Sequence, residues 1–128
     1  MKRVTILFVA VALLSGCTIW LRQSYDGIRA SVLKATPLGS TPEFVQEVAK
    51  KKGWKTDRFH GFSPDRGYWM HGPATPVERV VGVSSFSAVL GEFHEVPVPF
   101  VTTVEAYWGF DKDGRLIDVW IRSSTDAL

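Results

Sequence analysis

The sequence has one cysteine in 128 residues, no strong excess of charge and no long hydrophobic run. A single cysteine excludes an internal disulfide, on which small secreted domains often depend, so packing must stabilise the fold. The longest apolar stretch, residues 4–14, falls well short of the roughly 20 residues that span a bilayer. The sequence therefore predicts a packed domain of ordinary composition without a membrane-spanning helix.

The formal charge of +2 comes from Lys2 and Arg3, both close to the N-terminus. Without these two residues, basic and acidic side chains are equal in number. A nucleic-acid partner requires a basic surface that displaces counterions from phosphates. We therefore expect no binding to nucleic acid.

Signatures of a catalytic or metal site are also missing. The histidines, His60, His71 and His94, are too far apart in sequence for a local zinc motif. Ser84, Ser85 and Ser87 lack the glycine context of a nucleophilic serine. No glycine-rich phosphate loop is present, and residues 111–114 (DKDG) lack the spacing of a calcium loop. The expectation is a non-enzymatic protein with no metal, no noncovalent cofactor and no catalytic residue.

The N-terminus has the plan of a bacterial signal peptide. Lys2 and Arg3 precede the apolar stretch, which ends in Leu14, Ser15, Gly16 and Cys17. This ending resembles the lipobox of bacterial lipoproteins. The resemblance implies that residues 1–16 are a signal peptide, and that Cys17 carries diacylglycerol and a palmitate-type acyl chain. It also implies membrane attachment, since two or more chains anchor a protein stably.

Residues 17–24 are predicted to be a lipidated tether. Thr18 occupies the position where aspartate retains lipoproteins in the inner membrane of enteric bacteria. Its identity favours the outer membrane, with the domain facing the periplasm. The apolar residues 19–21 fit two interpretations, a position at the membrane interface or packing on the domain.

Residues 25–128 are predicted to form a single α+β domain. Ser24 is a candidate cap for a helix over residues 25–35, with Tyr25 on its apolar side. Thr41, Pro42 and Gly53 predict a second helix over residues 42–52 with Phe44 in its apolar stripe. Both helices are expected on one face of an antiparallel sheet of about four strands.

The remaining pattern favours β-strands. We expect strands over residues 54–59, 67–70 and 79–93, the last bent at Gly82 or Gly91. Residues 96–99 (VPVP) are expected to be a loop. A final hairpin over residues 104–110 and 115–122 turns at Gly114 and places Ile117 with Val119 and Ile121.

Aromatic residues are abundant, at 12% of the chain. Strand alternation places Trp108 inward, and Tyr107 and Trp120 on the opposite face of the sheet. Either a helix covers that face or it is an exposed interaction surface. Tyr107, Trp108 and Trp120 are the candidate surface residues.

The order of lipobox, helix start (residues 39–45) and closing turn (residues 110–116) resembles small lipoproteins of the SmpA/OmlA type. That resemblance implies two helices on an antiparallel sheet and a scaffolding role in outer-membrane assembly. The leading hypothesis is a lipid-anchored envelope lipoprotein that binds another envelope protein. The alternatives are an inhibitor of an exported hydrolase acting through residues 63–68 or 72–77, as in β-lactamase-inhibitor repeats, and a small-ligand domain near a histidine.

Overall fold

The computed structural model describes residues 20–71, 78–95, 97 and 99–127; the predicted signal peptide and Cys17 lie outside them. Within these ranges a 3₁₀ turn (Trp20–Arg22) precedes helices α1 (Tyr25–Ala35) and α2 (Pro42–Lys52). The strands are β1 (Phe62–Ser63), β2 (Tyr68–Met70), β3 (Arg79–Val81), β4 (Ser84–Glu95), β5 (Phe100–Phe110) and β6 (Leu116–Ala127). No helix in this described part has the length and apolar character needed to cross a membrane.

Both helices have the predicted bounds because their ends are locally encoded. The Ser24 hydroxyl accepts a hydrogen bond from the Gly27 amide, and the Thr41 hydroxyl accepts one from the Phe44 amide, each at 3.2 Å. These bonds satisfy amides that a helix start leaves free. Each helix buries one stripe of side chains: Ile28 and Val32 from α1, and Pro42, Val45 and Ala49 from α2.

The predicted fold class is confirmed, with both helices on one face of an antiparallel sheet in the order β1-β4-β5-β6. Alternate side chains of the three long strands point towards the helices and form the core. The largest of these side chains are Phe86, Trp108 and Phe110. The two outermost apolar residues predicted for the helix stripes, Tyr25 and Phe44, are about half exposed instead.

The predicted strand over residues 79–93 is divided at Gly82. Gly82 has a φ of 80°, and a Cβ there would lie 2.6 Å from the Phe110 carbonyl oxygen. The chain before it forms β3, which pairs with β2 in a separate two-stranded sheet. The chain after it forms β4, whose register against β5 shifts between Val89 and Gly91. At the predicted bend, Gly82, the chain thus leaves the two-stranded sheet and enters the four-stranded sheet.

Two other strand predictions are wrong. Residues 54–59 make one isolated bridge, Lys55 to Val89, and the first strand among the described residues is the short β1. Ile117 does not share a face with Val119, because the β5–β6 register shifts between Gly109 and Phe110. Leu116 therefore pairs with Phe110 and is buried, while Ile117 is 45% exposed.

A buried hydrogen bond joins α1 to the centre of the sheet. The Trp108 indole N–H donates to the Thr36 hydroxyl at 3.0 Å, and that hydroxyl donates to the Val32 carbonyl at 2.7 Å. Thr36 and Trp108 are both fully buried. Without Thr36 the buried indole N–H would have neither water nor a protein acceptor. The threonine hydroxyl therefore offsets the cost of removing that N–H from water.

We expect Thr36→Val to destabilise the protein by about 1–3 kcal/mol, because it leaves the indole N–H unpaired in the core. Thr36→Ser keeps the hydroxyl and should lose less. Chemical denaturation followed by tryptophan fluorescence measures both variants. In a Trp108→Phe background the cost of Thr36→Val should shrink; an unchanged cost would show that the indole is not the threonine's relevant partner.

Candidate functional site

Aromatic rings gather on the sheet face opposite the helices, and we call them the aromatic cluster. Its members are His60, Tyr68, Trp69, His71, Tyr107 and Trp120. The Tyr107 and Trp120 ring centroids are 5.2 Å apart, and Tyr68 lies 6.0–6.2 Å from both. His71 stacks on Trp69 at 4.7 Å and lies 6.0 Å from Trp120. The rings thus link the main sheet to the hairpin of β2 and β3.

The hairpin approaches the sheet closely because β5 has a glycine beneath it. A Cβ on Gly109 would lie 2.8 Å from Val81 Cγ1 and 3.0 Å from Tyr68 Cε1. Both of these hairpin residues are buried. A glycine inside a strand commonly marks such a close approach. Gly109 therefore allows the hairpin to cover this end of the sheet.

The outer side of the same hairpin is apolar and exposed. Trp69 pairs directly with Val80 across β2 and β3, and these residues are 55% and 65% exposed. Tyr68 and Val81 alternate with them and point to the sheet. We call Trp69, Val80 and the adjoining His71 the hairpin patch. The buried Tyr68 and Val81 hold the backbone that carries the patch against the sheet, and the Trp69 ring stacks on that of His71.

His60, at one margin of the cluster, lies between two carboxylates. Its Nδ1 is 2.9 Å from Asp57 Oδ1, and its Nε2 is 3.5 Å from Glu105 Oε2. Tyr107 donates a hydrogen bond of 2.7 Å to the same Glu105 oxygen. The Asp57 carboxylate also accepts from the Phe59 and His60 amides, which forms a tight turn. This arrangement fixes the chain between α2 and β1 over the sheet.

The environment shifts the pKa of three of these groups. The hydrogen bond from His60, helped by that from the Phe59 amide, lowers the pKa of Asp57. Burial and the Glu105 carboxylate raise the pKa of Tyr107 to about 12. Burial, with the nearby Asp118 carboxylate, raises the pKa of Tyr68, whose buried hydroxyl has no hydrogen-bond partner among the described residues. Both tyrosines are therefore held neutral well above physiological pH.

Two serines of β4 on this face, Ser85 and Ser87, bind the segment at residues 61–66, which covers the sheet and which we call the covering chain. The Ser85 hydroxyl donates to the Arg66 carbonyl at 3.0 Å, and the Ser87 hydroxyl accepts from the Gly61 amide at 3.3 Å. Within the part of the chain that the structure describes, neither hydroxyl bonds to a basic side chain that would activate it as a nucleophile. Their observed role is to attach residues 61–66 to the sheet.

Asp118 connects three elements at the margin of the cluster. It accepts a 2.6 Å hydrogen bond from Arg29 of α1 and lies 3.6 Å from Arg79 of β3. Arg29 also donates to the Val119 carbonyl at 2.9 Å. Because these groups are partly solvated, the ion pairs add little stability and mainly orient the elements.

The structure separates the three candidate surface residues. Trp108 is fully buried among the helices, so its inclusion in an interaction surface is wrong. Tyr107 and Trp120 lie together on the other face, half-buried beneath the hairpin rather than under a helix or open to solvent. On the hairpin that covers them, the exposed apolar side chains are those of Trp69 and Val80, which the sequence did not single out.

The histidines are dispersed over the molecule. His60 and His71 reach opposite margins of the aromatic cluster, and His94 lies near the far end of β4. The described residues contain no group of three or more histidine, cysteine or carboxylate side chains placed to hold a metal ion. The small-ligand hypothesis required two of these histidines, or one histidine and a carboxylate, to meet in a concave site. His60 does lie beside carboxylates, but its two ring nitrogens face Asp57 and Glu105.

Residues 1–18 match the family described as the prokaryotic membrane lipoprotein lipid attachment site. The matched segment contains Leu14, Ser15, Gly16 and Cys17, and it supports a lipid-anchored bacterial envelope lipoprotein. No curated protein and no solved structure gives a significant match to the chain. The resemblance to SmpA/OmlA-type lipoproteins receives no support from these comparisons.

Gly109→Ala should destabilise the protein by about 1–3 kcal/mol and loosen the hairpin, because the new methyl group overlaps Tyr68 and Val81. Gly61→Ala is the control, since a Cβ there meets nothing within 4 Å. Hydrogen exchange of β2 and β3 amides reports the loosening. Equal exchange in both variants would mean that the close approach at Gly109 does not hold the hairpin.

Tyr107→Phe should reduce the loss of stability at alkaline pH. The pKa of Tyr107 is raised from 10.0 to about 12 in the folded protein. Its contribution is therefore complete below pH 10 and is lost as the pH rises through about 12. Urea unfolding at several pH values measures the slope, which should be shallower in the variant. Identical slopes would contradict the assignment, since Tyr68 is present in both proteins.

Proposed function

We propose that the chain is a non-enzymatic lipoprotein that binds another envelope protein through the hairpin patch. The main observation in support is that Trp69 and Val80 are paired and exposed on a hairpin whose inner side packs on the sheet. Tryptophan is enriched among residues that dominate binding energy at protein interfaces. A side chain already held in place loses less conformational freedom on binding, which favours affinity.

The proposed location is the outer membrane, with the domain in the periplasm. The lipid attachment signal supports membrane anchoring through Cys17. Thr18, rather than aspartate, follows the cysteine and supports release from the inner membrane under the enteric sorting rule. The partner sought is accordingly an envelope protein with an apolar recess for an indole ring.

A non-enzymatic role agrees with the contacts of the polar side chains on this face. Glu105 accepts from Tyr107, and His60 lies between Glu105 and Asp57. Ser85 and Ser87 are bonded to backbone atoms. These groups support the position of the covering chain, and none is arranged as a nucleophile with its base.

Inhibition of an exported hydrolase is the second candidate function. Residues 72–77, one of the two segments proposed for this role, lie outside the described residues. The strands on either side of them are β2 and β3, whose last and first residues, Met70 and Arg79, are paired, so the two ends of the segment lie close together. Activity assays of lysozymes and β-lactamases with micromolar purified protein distinguish this role from scaffolding.

The main proposal predicts position-dependent crosslinking in intact cells. A photoreactive amino acid replacing Trp69 should form an adduct with a defined envelope protein. The same group replacing Lys51, on the exposed side of α2, should not form that adduct. Mass spectrometry of purified adducts identifies the partner. Adducts that do not differ between the two positions would refute the hairpin patch as a binding surface.

A substitution pair separates binding from folding. Trp69→Ser with Val80→Ser should reduce the stability by about 1 kcal/mol or less for each residue, because it removes one cross-strand pair and the stacking of Trp69 on His71. The double variant should nevertheless lose the partner in co-purification from detergent extracts. Retained co-purification of the folded variant would place the interface elsewhere.

A further inference from the structure

The described chain begins very close to the predicted lipid anchor. Only Thr18 and Ile19 separate Cys17 from Trp20. Three residues extend over at most about 11 Å, from the Cα of Cys17 to that of Trp20. Whatever Trp20 contacts is therefore held close to the lipid that Cys17 carries.

The 3₁₀ turn is attached to the domain, so the predicted tether over residues 17–24 is not a free linker. Leu21 is only 3% exposed and belongs to the core, and Trp20 packs against that core. A Cβ on Gly91 would lie 2.7 Å from Leu21 Cδ1, so the glycine leaves room for the leucine. Packing on the domain, one of the two interpretations of residues 19–21, is therefore observed for Trp20 and Leu21, while Ile19 lies outside the described residues.

Arg22 attaches the turn to one end of the sheet. Its guanidinium donates to the His94 carbonyl at 2.9 Å and lies 4.5 Å from the centre of the Phe93 ring. Phe93 and His94 are near the end of β4, opposite the start of β5. Helix α1 then leads away from this end, since Tyr25 bonds to Ser123 and Arg29 reaches Asp118. The anchor thus enters at the β4–β5 end.

Several side chains at this end suit a membrane surface, and the exposed Asp126, opposite Val101, is a carboxylate among them. Pro97 and Pro99 are exposed, and Phe100 is 38% exposed. Arg22 is exposed at the same end, where its guanidinium contacts Phe93 and His94 of β4. Aromatic residues and basic residues with long apolar stems are favoured at membrane interfaces.

We propose that the β4–β5 end of the sheet rests on the surface of the membrane that holds the anchor, with Pro97, Pro99 and Phe100 against the lipid. The inference rests on the lipid anchor of the proposed function. It adds an orientation: the turn at residues 111–114 points away from the membrane. The hairpin patch, which lies near Gly109, is then on the distal half of the domain.

Fluorescence quenching in vesicles tests the orientation. The full lipidated chain is reconstituted in phosphatidylethanolamine–phosphatidylglycerol vesicles with a quencher on the lipid headgroup. A fluorophore is attached through Pro97→Cys or, as the control at the other end, Lys112→Cys; the acylated Cys17 does not react. Quenching should be several-fold stronger at position 97.

Two further variants separate the possible failures. A Gly/Ser insertion of 20 residues between Thr18 and Ile19 spans roughly 25 Å and frees the domain from the membrane surface. The extent of quenching at positions 97 and 112 should then become similar. The chain produced from Thr18 onward, without the signal peptide and Cys17, should stay in solution. If the parent chain also stays in solution, the anchor itself is wrong. If the parent binds vesicles but both positions are quenched equally, the anchor stands and the orientation is overturned.

Discussion

The structure depends on Trp108, where helices and sheet meet. Its ring centroid lies 5.7 Å from that of Trp54, which follows α2, and 5.3 Å from that of Phe86 in β4. Its indole N–H is bonded to Thr36 at the end of α1. One buried side chain therefore contacts both helical segments and the neighbouring strand. A domain without disulfides gains its stability from such large, well-packed aromatic groups.

The opposite face of β5 shows how the same strand supports the candidate site. Tyr107 and Glu105 alternate with the core residues, so fixing Trp108 also fixes them. They in turn support His60 and Tyr68, which hold the covering chain and the hairpin. The exposed hairpin patch is consequently the outermost layer of a continuous packing arrangement rather than a flexible loop.

Local signals account for most of what could be predicted. The caps Ser24 and Thr41 and the turn at Gly114 act through neighbouring residues, and the helices and last hairpin lie where those signals place them. The exposure of Ile117 depends on a register shift with β5, and no residue near it encodes that shift. The position of the β2–β3 hairpin over Tyr107 and Trp120 likewise depends on contacts between segments that are distant in sequence. Gly109 was the available signal, because a glycine within an apolar strand indicates close approach.

The contacts of the 3₁₀ turn with β4 also determine where a mechanical load on the anchor reaches the sheet. A pull on the lipid passes through residues 18–19 to Leu21 and Arg22, and from them to Gly91 and His94 of β4. Strand β4 is an inner strand, paired with β5 along almost its whole length. Force applied along β4 is therefore shared among many hydrogen bonds of that ladder at once.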